Sequence, residues 1–133
     1  MSRPVRLLHL ADLRPAPADP ATFTGAARVT RMPGVADDPA VNAYRVAFEP
    51  RARTAWHLHS GLQLLVVLSG RCRVQREGEP VQVAAAGDVV SIAAGERHWH
   101  GADPEGPMVH LALNVDSATT WFGPVSDSEY EGT

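Results

Sequence analysis

Turn signals divide most of this chain into short segments. Beyond residue 41, short apolar runs alternate with clusters of Gly, Pro, Asp and Ser, and no long amphipathic helical pattern intervenes. The signals recur about every 8–12 residues, which is typical of an all-β sandwich or barrel. With 133 residues the chain is long enough for one domain with its own core. We therefore expect a single all-β domain.

Alternation within the runs predicts individual strands. Tyr44, Val46 and Phe48 alternate with small or polar residues, as in a strand with one buried face. Residues 62–68 are almost continuously apolar, which predicts a strand buried on both faces. Residues 108–115 form the last long predicted strand.

The two ends of the chain lack the regular strand pattern of the central part. Residues 14–20 contain three prolines, which exclude a helix or a central strand. A short strand over residues 26–31 should end at Met32-Pro33-Gly34. Residues 119–122 are predicted to form a short turn, and the acidic residues 127–131 to be solvated. The predicted organisation is therefore an irregular N-terminal arm over residues 1–40, a β-barrel over 41–116 and a C-terminal extension over 117–133.

Charge and cysteine content exclude several classes of function. The net charge is −3 and no basic cluster occurs, which argues against a nucleic-acid partner. No apolar run approaches the length of a membrane span. The apolar run that follows Arg6 is too short for the core of a signal peptide. The single cysteine, Cys72, cannot form an internal disulfide and is predicted to be a buried core residue. The expected location is the cytoplasm.

Histidines concentrate in two of the predicted strands. Alternation places His57 and His59 on one face of the first strand, and His98 and His100 on one face of the second. Trp56 and Trp99 take the opposite parity and should pack between sheets. Imidazole suits Zn, Cu, Fe and Ni, and mixed nitrogen and oxygen ligands also hold Mn. The sequence thus predicts a single-metal site inside a small barrel.

Two motifs resemble those of the cupin family. His57-x-His59-x3-Gln63-x6-Gly70 resembles the first cupin motif, and Gly87-x5-Ala93-x-Gly95-x2-His98 resembles the second. Ala93 replaces the usual Pro, and Gln63 replaces the usual Glu. The resemblance implies a cupin fold, that is, a double-stranded β-helix or jelly-roll barrel.

With glutamine at position 63, the first motif resembles that of a subgroup of small bacterial cupins. Proteins of this subgroup hold their metal with three histidines and one glutamine. This subgroup includes the manganese-dependent cupin hydroxynitrile lyases and borders on the carboxymuconolactone decarboxylase-associated cupins. The resemblance implies that His57, His59, Gln63 and His98 bind one divalent ion. Manganese is expected, and Fe, Zn and Ni are alternatives. A neutral Gln63 would leave the ion its full charge and make it a stronger Lewis acid.

A second group of residues is predicted to meet the substrate. His100 shares the parity of His98, and the motif resemblance places His110 inside the barrel together with Asn114, which has the same parity. Either histidine could move a proton near neutral pH, or could only orient a ligand. Tyr44, Val46 and Phe48 are predicted to line the pocket, with core packing as the alternative.

The resemblance favours a metal-dependent lyase of the hydroxynitrile lyase type acting on a small, uncharged, aromatic compound. Two alternatives remain open: an Fe(II) oxygenase or isomerase, and a non-catalytic cupin that binds a small molecule. The family pattern also implies a homodimer, in which residues 20–35 are exchanged or edge strands pair.

Overall fold

Two antiparallel sheets face each other in the computed structural model, which describes residues 5–132. In the first sheet the strands lie in the order β1-β3-β4-β12-β7-β10. They are β1 (Ala16–Pro17), β3 (Ala27–Asp37), β4 (Ala40–Phe48), β7 (Gln63–Ser69), β10 (Val89–Ile92) and β12 (Met108–Val115).

The second sheet has the order β13-β6-β11-β5-β2, and β11 also pairs with β8, which pairs with β9. Its strands are β2 (Phe23–Thr24), β5 (Arg53–Thr54), β6 (His57–His59), β8 (Arg71–Arg76), β9 (Gln82–Ala85), β11 (His98–Ala102) and β13 (Thr119–Trp121). A 3-10 turn, Leu10–Asp12, and one short helix, α1 (Asp127–Glu131), complete the described residues. The all-β prediction is confirmed.

The chain passes from the first sheet to the second between β7 and β8. Gly70 makes this step with a positive φ of 74°, and a Cβ at this position would lie 2.1 Å from the carbonyl oxygen of Pro107. Only glycine allows both the left-handed conformation and the close approach. Ser69-Gly70 is therefore the point where the chain crosses from one sheet to the other.

The N-terminal region is more regular than predicted. Strand β3 continues to Asp37 and passes through Met32-Pro33-Gly34 without ending. Its pairing with β4 shifts register between Met32 and Ala36, and the backbone N–H of Gly34 donates to the Asn42 side chain at 3.0 Å. A bulge therefore accommodates the proline, which needs no partner for a missing N–H there. The strand predicted over residues 26–31 is present, but the expectation that it ends at Met32-Pro33-Gly34 is wrong, because the strand continues to Asp37. Residues 1–4 of the predicted arm lie outside the described part of the chain.

The predicted two-sided burial of residues 62–68 is also corrected. Gln63, Leu65 and Val67 are buried, whereas Leu64 and Val66 are half-buried and Leu68 is exposed. These last three face away from the space between the sheets. The strand therefore has one fully buried face, and that face is directed at the site described below.

The C-terminal region is ordered against the second sheet. Residues 119–121 pair with β6 as a strand and are not a turn. Helix α1 begins with a capping box between Ser126 and Glu129, and Tyr130 in this helix is completely buried against Trp56 and Trp99. The acidic side chains are exposed, but the segment as a whole is a packed element because Tyr130 anchors it.

The remaining core follows the expected chemistry. Phe48, Val67, Met108 and Cys72 belong to one buried cluster, so Cys72 is a core residue as predicted. Trp56 and Trp99 do not pack between the two sheets as predicted. They pack against Val125 and Tyr130 of the C-terminal region, away from the inter-sheet cavity. Both helical elements within residues 5–132 are much shorter than a bilayer-spanning helix requires.

Candidate metal centre and cavity

Strand pairing brings the two histidine strands together. His57 on β6 lies directly opposite His98 on β11. Residues that are directly opposite in an antiparallel pair project to the same face, as do residues two apart in one strand. His57, His59, His98 and His100 consequently converge, and all four are buried.

The ring separations define how close this convergence is. The ring centroids of His57 and His98 are 4.2 Å apart, and that of His59 lies 5.0 Å from His57 and 5.6 Å from His98. One ring nitrogen each of His57, His98 and His100 lies within 4.8 Å of the other two. These three buried histidines could hold one metal ion. This set contains His100, whereas the sequence-predicted set has His59 in its place.

Gln63 contributes an oxygen to the same cluster. Its Oε1 lies 3.1 Å from Nε2 of His98, and its Nε2 donates to Oδ1 of Asn114 at 2.9 Å. Asn114 is opposite Gln63 in the pairing of β7 with β12, which explains why the two side chains meet. Asn114 thereby directs the amide oxygen of Gln63 towards His98.

Each of the three predicted histidine ligands has its Nδ1 engaged. The Nδ1 atoms of His57 and His98 lie 2.9 Å from the carbonyl oxygens of Ala55 and Glu96, and that of His59 lies 2.9 Å from Oγ1 of Thr119. A carbonyl only accepts, so Nδ1 of His57 and of His98 must carry the hydrogen. Neutral rings in this tautomer keep the Nε2 lone pair, the usual arrangement of metal-binding histidines.

The donor set fits a divalent transition metal. Neutral His98 carries one hydrogen but faces two acceptors, the Glu96 carbonyl and the Gln63 amide oxygen. Two neighbouring ligand atoms that each lie roughly 2.1 Å from one ion at a right angle are about 3 Å apart, close to the observed separation. In addition, Nε2 of His59 is buried with no hydrogen-bond partner in the described residues. Buried polar atoms rarely remain unpaired, and a bound ion would engage this nitrogen.

Burial keeps these rings neutral. Desolvation lowers the pKa of His57 and His100 well below 6.5, with smaller contributions from neighbouring histidines, and it also lowers the pKa of His98. The pKa of His59 falls to about 4 through desolvation and the proximity of His98, partly offset by Gln63, and burial lowers that of His110 to about 4. Neutral imidazole is the form that binds metals.

His100 and His110 form a pair next to the cluster. Nε2 of His110 lies 2.9 Å from Nδ1 of His100, and Nδ1 of His110 is buried without a partner among residues 5–132. The backbone N–H of His100 donates to Oγ1 of Thr54 at 3.2 Å, and the ring of Phe48 packs edge-on against His110 at 5.1 Å. The pair is thus held in place by β5 and by the core.

A cavity of about 570 Å³ opens onto these groups. His57, His59, Gln63, His100 and His110 line it, and so do the predicted pocket residues Tyr44, Val46 and Asn114. Phe48, also predicted to line the pocket, lies instead in the core behind His110, because its position nearer the end of β4 brings it under Ala27 and Met108. His98 lines a second cavity, of about 460 Å³, together with residues of β8, β9 and β10.

Strand β13 supplies cavity residues that the sequence did not reveal. Thr119 is opposite His59, and Trp121 is opposite His57, with its ring centroid 4.6 Å from that of His57. Phe23 and Thr54 also line the cavity. The alternate spacing of Thr119 and Trp121 was the available signal, but it identifies no partner strand.

Fold and site together define a small jelly-roll protein with an imidazole-rich interior, and comparison with known proteins agrees. Residues 44–114 match the family model described as the cupin domain, which covers more than half of the chain. The chain belongs to this family.

Individual relatives are consistent with this. The chain is 43% identical over 117 residues to the (R)-mandelonitrile lyase of Granulicella tundricola, a match that covers 86% of this chain and 88% of the relative. A cupin-like protein of Thermotoga maritima is similar in structure, with a TM-score of 0.84 and 34% identity over 90% of this chain and 94% of the other. A polyketide cyclase from Streptomyces resistomycificus shares the fold at 17% identity, with a TM-score of 0.71 and coverage of 95% and 90%.

Proposed function

We propose that this protein is a metal-dependent lyase that cleaves small aromatic hydroxynitriles to an aldehyde and hydrogen cyanide. The observation that carries the proposal is the 43% identity to a mandelonitrile lyase across most of both chains. The cupin fold alone would not suffice, because one fold hosts many chemistries. The buried imidazoles and the adjoining cavity supply the groups that such a reaction needs.

His57, His59, Gln63 and His98 are the proposed metal ligands. The unpartnered Nε2 of His59 and the direction of the Gln63 amide oxygen support this set. A ring nitrogen of His100 also lies within 4.8 Å of ring nitrogens of His57 and His98, so His100 is an alternative to His59 as a ligand. Its Nδ1, however, is hydrogen-bonded to His110, which suits His100 for proton transfer. When bound, a divalent ion would act as a Lewis acid on the substrate hydroxyl.

The His100–His110 pair can take and give the protons of the reaction. The two neutral rings share one hydrogen between Nδ1 of His100 and Nε2 of His110. Whichever ring donates it, one of the two outward nitrogens, Nε2 of His100 and Nδ1 of His110, has a lone pair and the other carries a hydrogen. The neutral pair therefore always presents one base and one acid.

This arrangement balances the protons of one bond cleavage. Starting from the tautomer in which His110 donates, Nδ1 of His110 takes the hydroxyl proton while the bond between the carbinol carbon and the nitrile carbon breaks. The electron pair of that bond leaves with cyanide, which takes the hydrogen from Nε2 of His100. The shared hydrogen then moves to Nδ1 of His100, which restores a neutral pair in the opposite tautomer. General acid–base catalysis of this kind contributes typically 10²–10⁴-fold to a rate.

The cavity wall favours an aromatic substrate. Tyr44, Val46, Phe23 and Trp121 line the same cavity as the histidine pair. Trp121 is 42% exposed, so one face of its ring is available beside His57. Aromatic rings stack on such surfaces in offset or edge-on arrangements. We therefore propose mandelonitrile and its ring-substituted analogues as the substrate class.

The test is turnover of mandelonitrile by Mn²⁺-loaded protein, measured as benzaldehyde release, beside the same protein after chelation. Activity that depends on the metal supports the proposal. Absence of turnover above the metal-free protein, with metal bound, removes the lyase function and leaves an oxygenase, an isomerase or a binding protein. Oxygen uptake by the Fe²⁺-loaded protein with phenolic or diketone substrates then distinguishes an oxygenase from the other two.

Three finer properties belong to the same proposal. Manganese is the proposed ion, which metal analysis of protein purified from its native host would test. A homodimer is the proposed assembly, which sedimentation would test. The cytoplasm is the proposed location, which cell fractionation would test.

A further inference from the structure

His59 is held differently from the other two histidines of the proposed ligand set. Backbone carbonyls accept from Nδ1 of His57 and of His98, and no substitution can remove them. The partner of Nδ1 of His59 is a side chain, Oγ1 of Thr119 at 2.9 Å. Of the three histidines, only His59 therefore depends on a side chain, that of Thr119, to fix the orientation of its ring.

Strand pairing places Thr119 at this position. Thr119 is directly opposite His59 in the antiparallel pairing of β13 with β6. Ser60 and Ala118 fix the register next to this pair, because each accepts a hydrogen bond at 2.9 Å from the backbone N–H of the other. The hydroxyl is therefore supplied by a fixed strand and not by a free loop.

The hydroxyl group could in principle donate or accept. If it donated to Nδ1, neutral His59 would carry its hydrogen on Nε2, which is buried without a hydrogen-bond partner and would then be unable to bind an ion. If it accepts from Nδ1, the lone pair stays on Nε2, and exposed Thr119 can donate its own hydrogen to solvent. The second arrangement leaves no buried donor unsatisfied.

We propose that Thr119 is a positioning residue that holds the Nδ1 hydrogen of His59 and thereby keeps Nε2 available to a divalent metal ion. This inference rests on the metal site of the proposed function. It goes beyond that site in assigning metal retention to a side chain on the edge strand β13. Removing a partner of this kind typically weakens metal binding about 10–100-fold.

Thr120 provides a matched control. It is the next residue on the same strand, lies opposite Leu58 and is exposed. Thr119→Val and Thr120→Val each replace a threonine hydroxyl by a methyl group and keep the branched shape of the side chain. Thr119→Ser keeps the hydroxyl. The melting temperatures of the metal-free proteins show whether either valine disturbs the fold.

The experiment measures the dissociation constant for Mn²⁺ by competition with a chelator, and the electron paramagnetic resonance spectrum of the Cu²⁺-loaded proteins. We expect Thr119→Val to bind Mn²⁺ about 10–100-fold more weakly and to give an altered Cu²⁺ spectrum. Thr119→Ser and Thr120→Val should match the wild type in both. A Thr119→Val protein with wild-type affinity and spectrum would overturn the inference while the metal site stands. A wild-type protein that binds no Mn²⁺ or Cu²⁺ would remove the site itself, and this inference with it.

Discussion

Nε2 of His110 lies 2.9 Å from Nδ1 of His100, and neither ring has another hydrogen-bond partner for its outward nitrogen within the described chain. Two imidazoles on neighbouring elements of different sheets are thereby joined into one unit that faces the cavity. The ring of Phe48 packs edge-on against His110, and Oγ1 of Thr54 accepts from the backbone N–H of His100. A proton that enters at one end of this unit can leave at the other.

The pair should behave as one catalytic group. His110→Gln keeps an amide near His100 but cannot carry a proton, so kcat for mandelonitrile should fall about 10²–10⁴-fold with bound metal unchanged. The double variant His100→Gln/His110→Gln should be about as slow as either single variant, because residues that act as a unit are not additive. His9→Gln, at an exposed position, is the matched control and should be fully active. Additive losses in the double variant would show that the two rings act separately.

Tyr130 should contribute strongly to stability from the C-terminal helix. Its ring is completely buried, and its hydroxyl donates to the carbonyl oxygen of Ala102 at the end of β11. Tyr130→Phe should lower the free energy of unfolding of the metal-free protein by about 1 kcal/mol, and Tyr130→Ala by about 3–5 kcal/mol. Urea denaturation measures both values. Equal stability of Tyr130→Ala and the wild type would mean that α1 is not docked.

Cys72 should be chemically inert in the folded protein and should make stability fall at high pH. Burial raises the pKa of its thiol to about 12 from an ordinary value of 9.0. Between these values the unfolded thiol ionises and the folded one does not, so unfolding is favoured as pH rises above 9. Iodoacetamide at pH 8.5 should label Cys72 only after denaturant is added, as measured by mass spectrometry. Rapid labelling under native conditions would contradict its burial.

Local patterns in the sequence were sufficient for much of the fold and for the histidine cluster. Alternation within residues 57–59 and 98–100 predicts which side chains share a face, and the pairing of His57 with His98 then follows from the jelly-roll order. The two-sided burial predicted for residues 62–68 is wrong because an apolar run does not reveal that one of its faces is only partly buried.

Features that depend on distant pairing were missed. Strand β3 continues past Pro33 because Asn42 on the neighbouring strand accepts the Gly34 N–H, a contact that no local pattern contains. Thr119 meets His59 across 60 residues of sequence, and Trp121 reaches His57 by the same pairing. A three-residue strand with exposed residues has no apolar alternation to identify it.

Metal content of His59→Ala and His100→Ala, measured by elemental analysis after loading with Mn²⁺, tests the central claim most directly. The claim is that His57, His59, Gln63 and His98 bind one ion while His100 serves proton transfer. It predicts about one ion per chain in the wild type and in His100→Ala, and a large loss in His59→Ala. Retention of the ion by His59→Ala together with its loss from His100→Ala would contradict the claim and assign the ion to His57, His98 and His100.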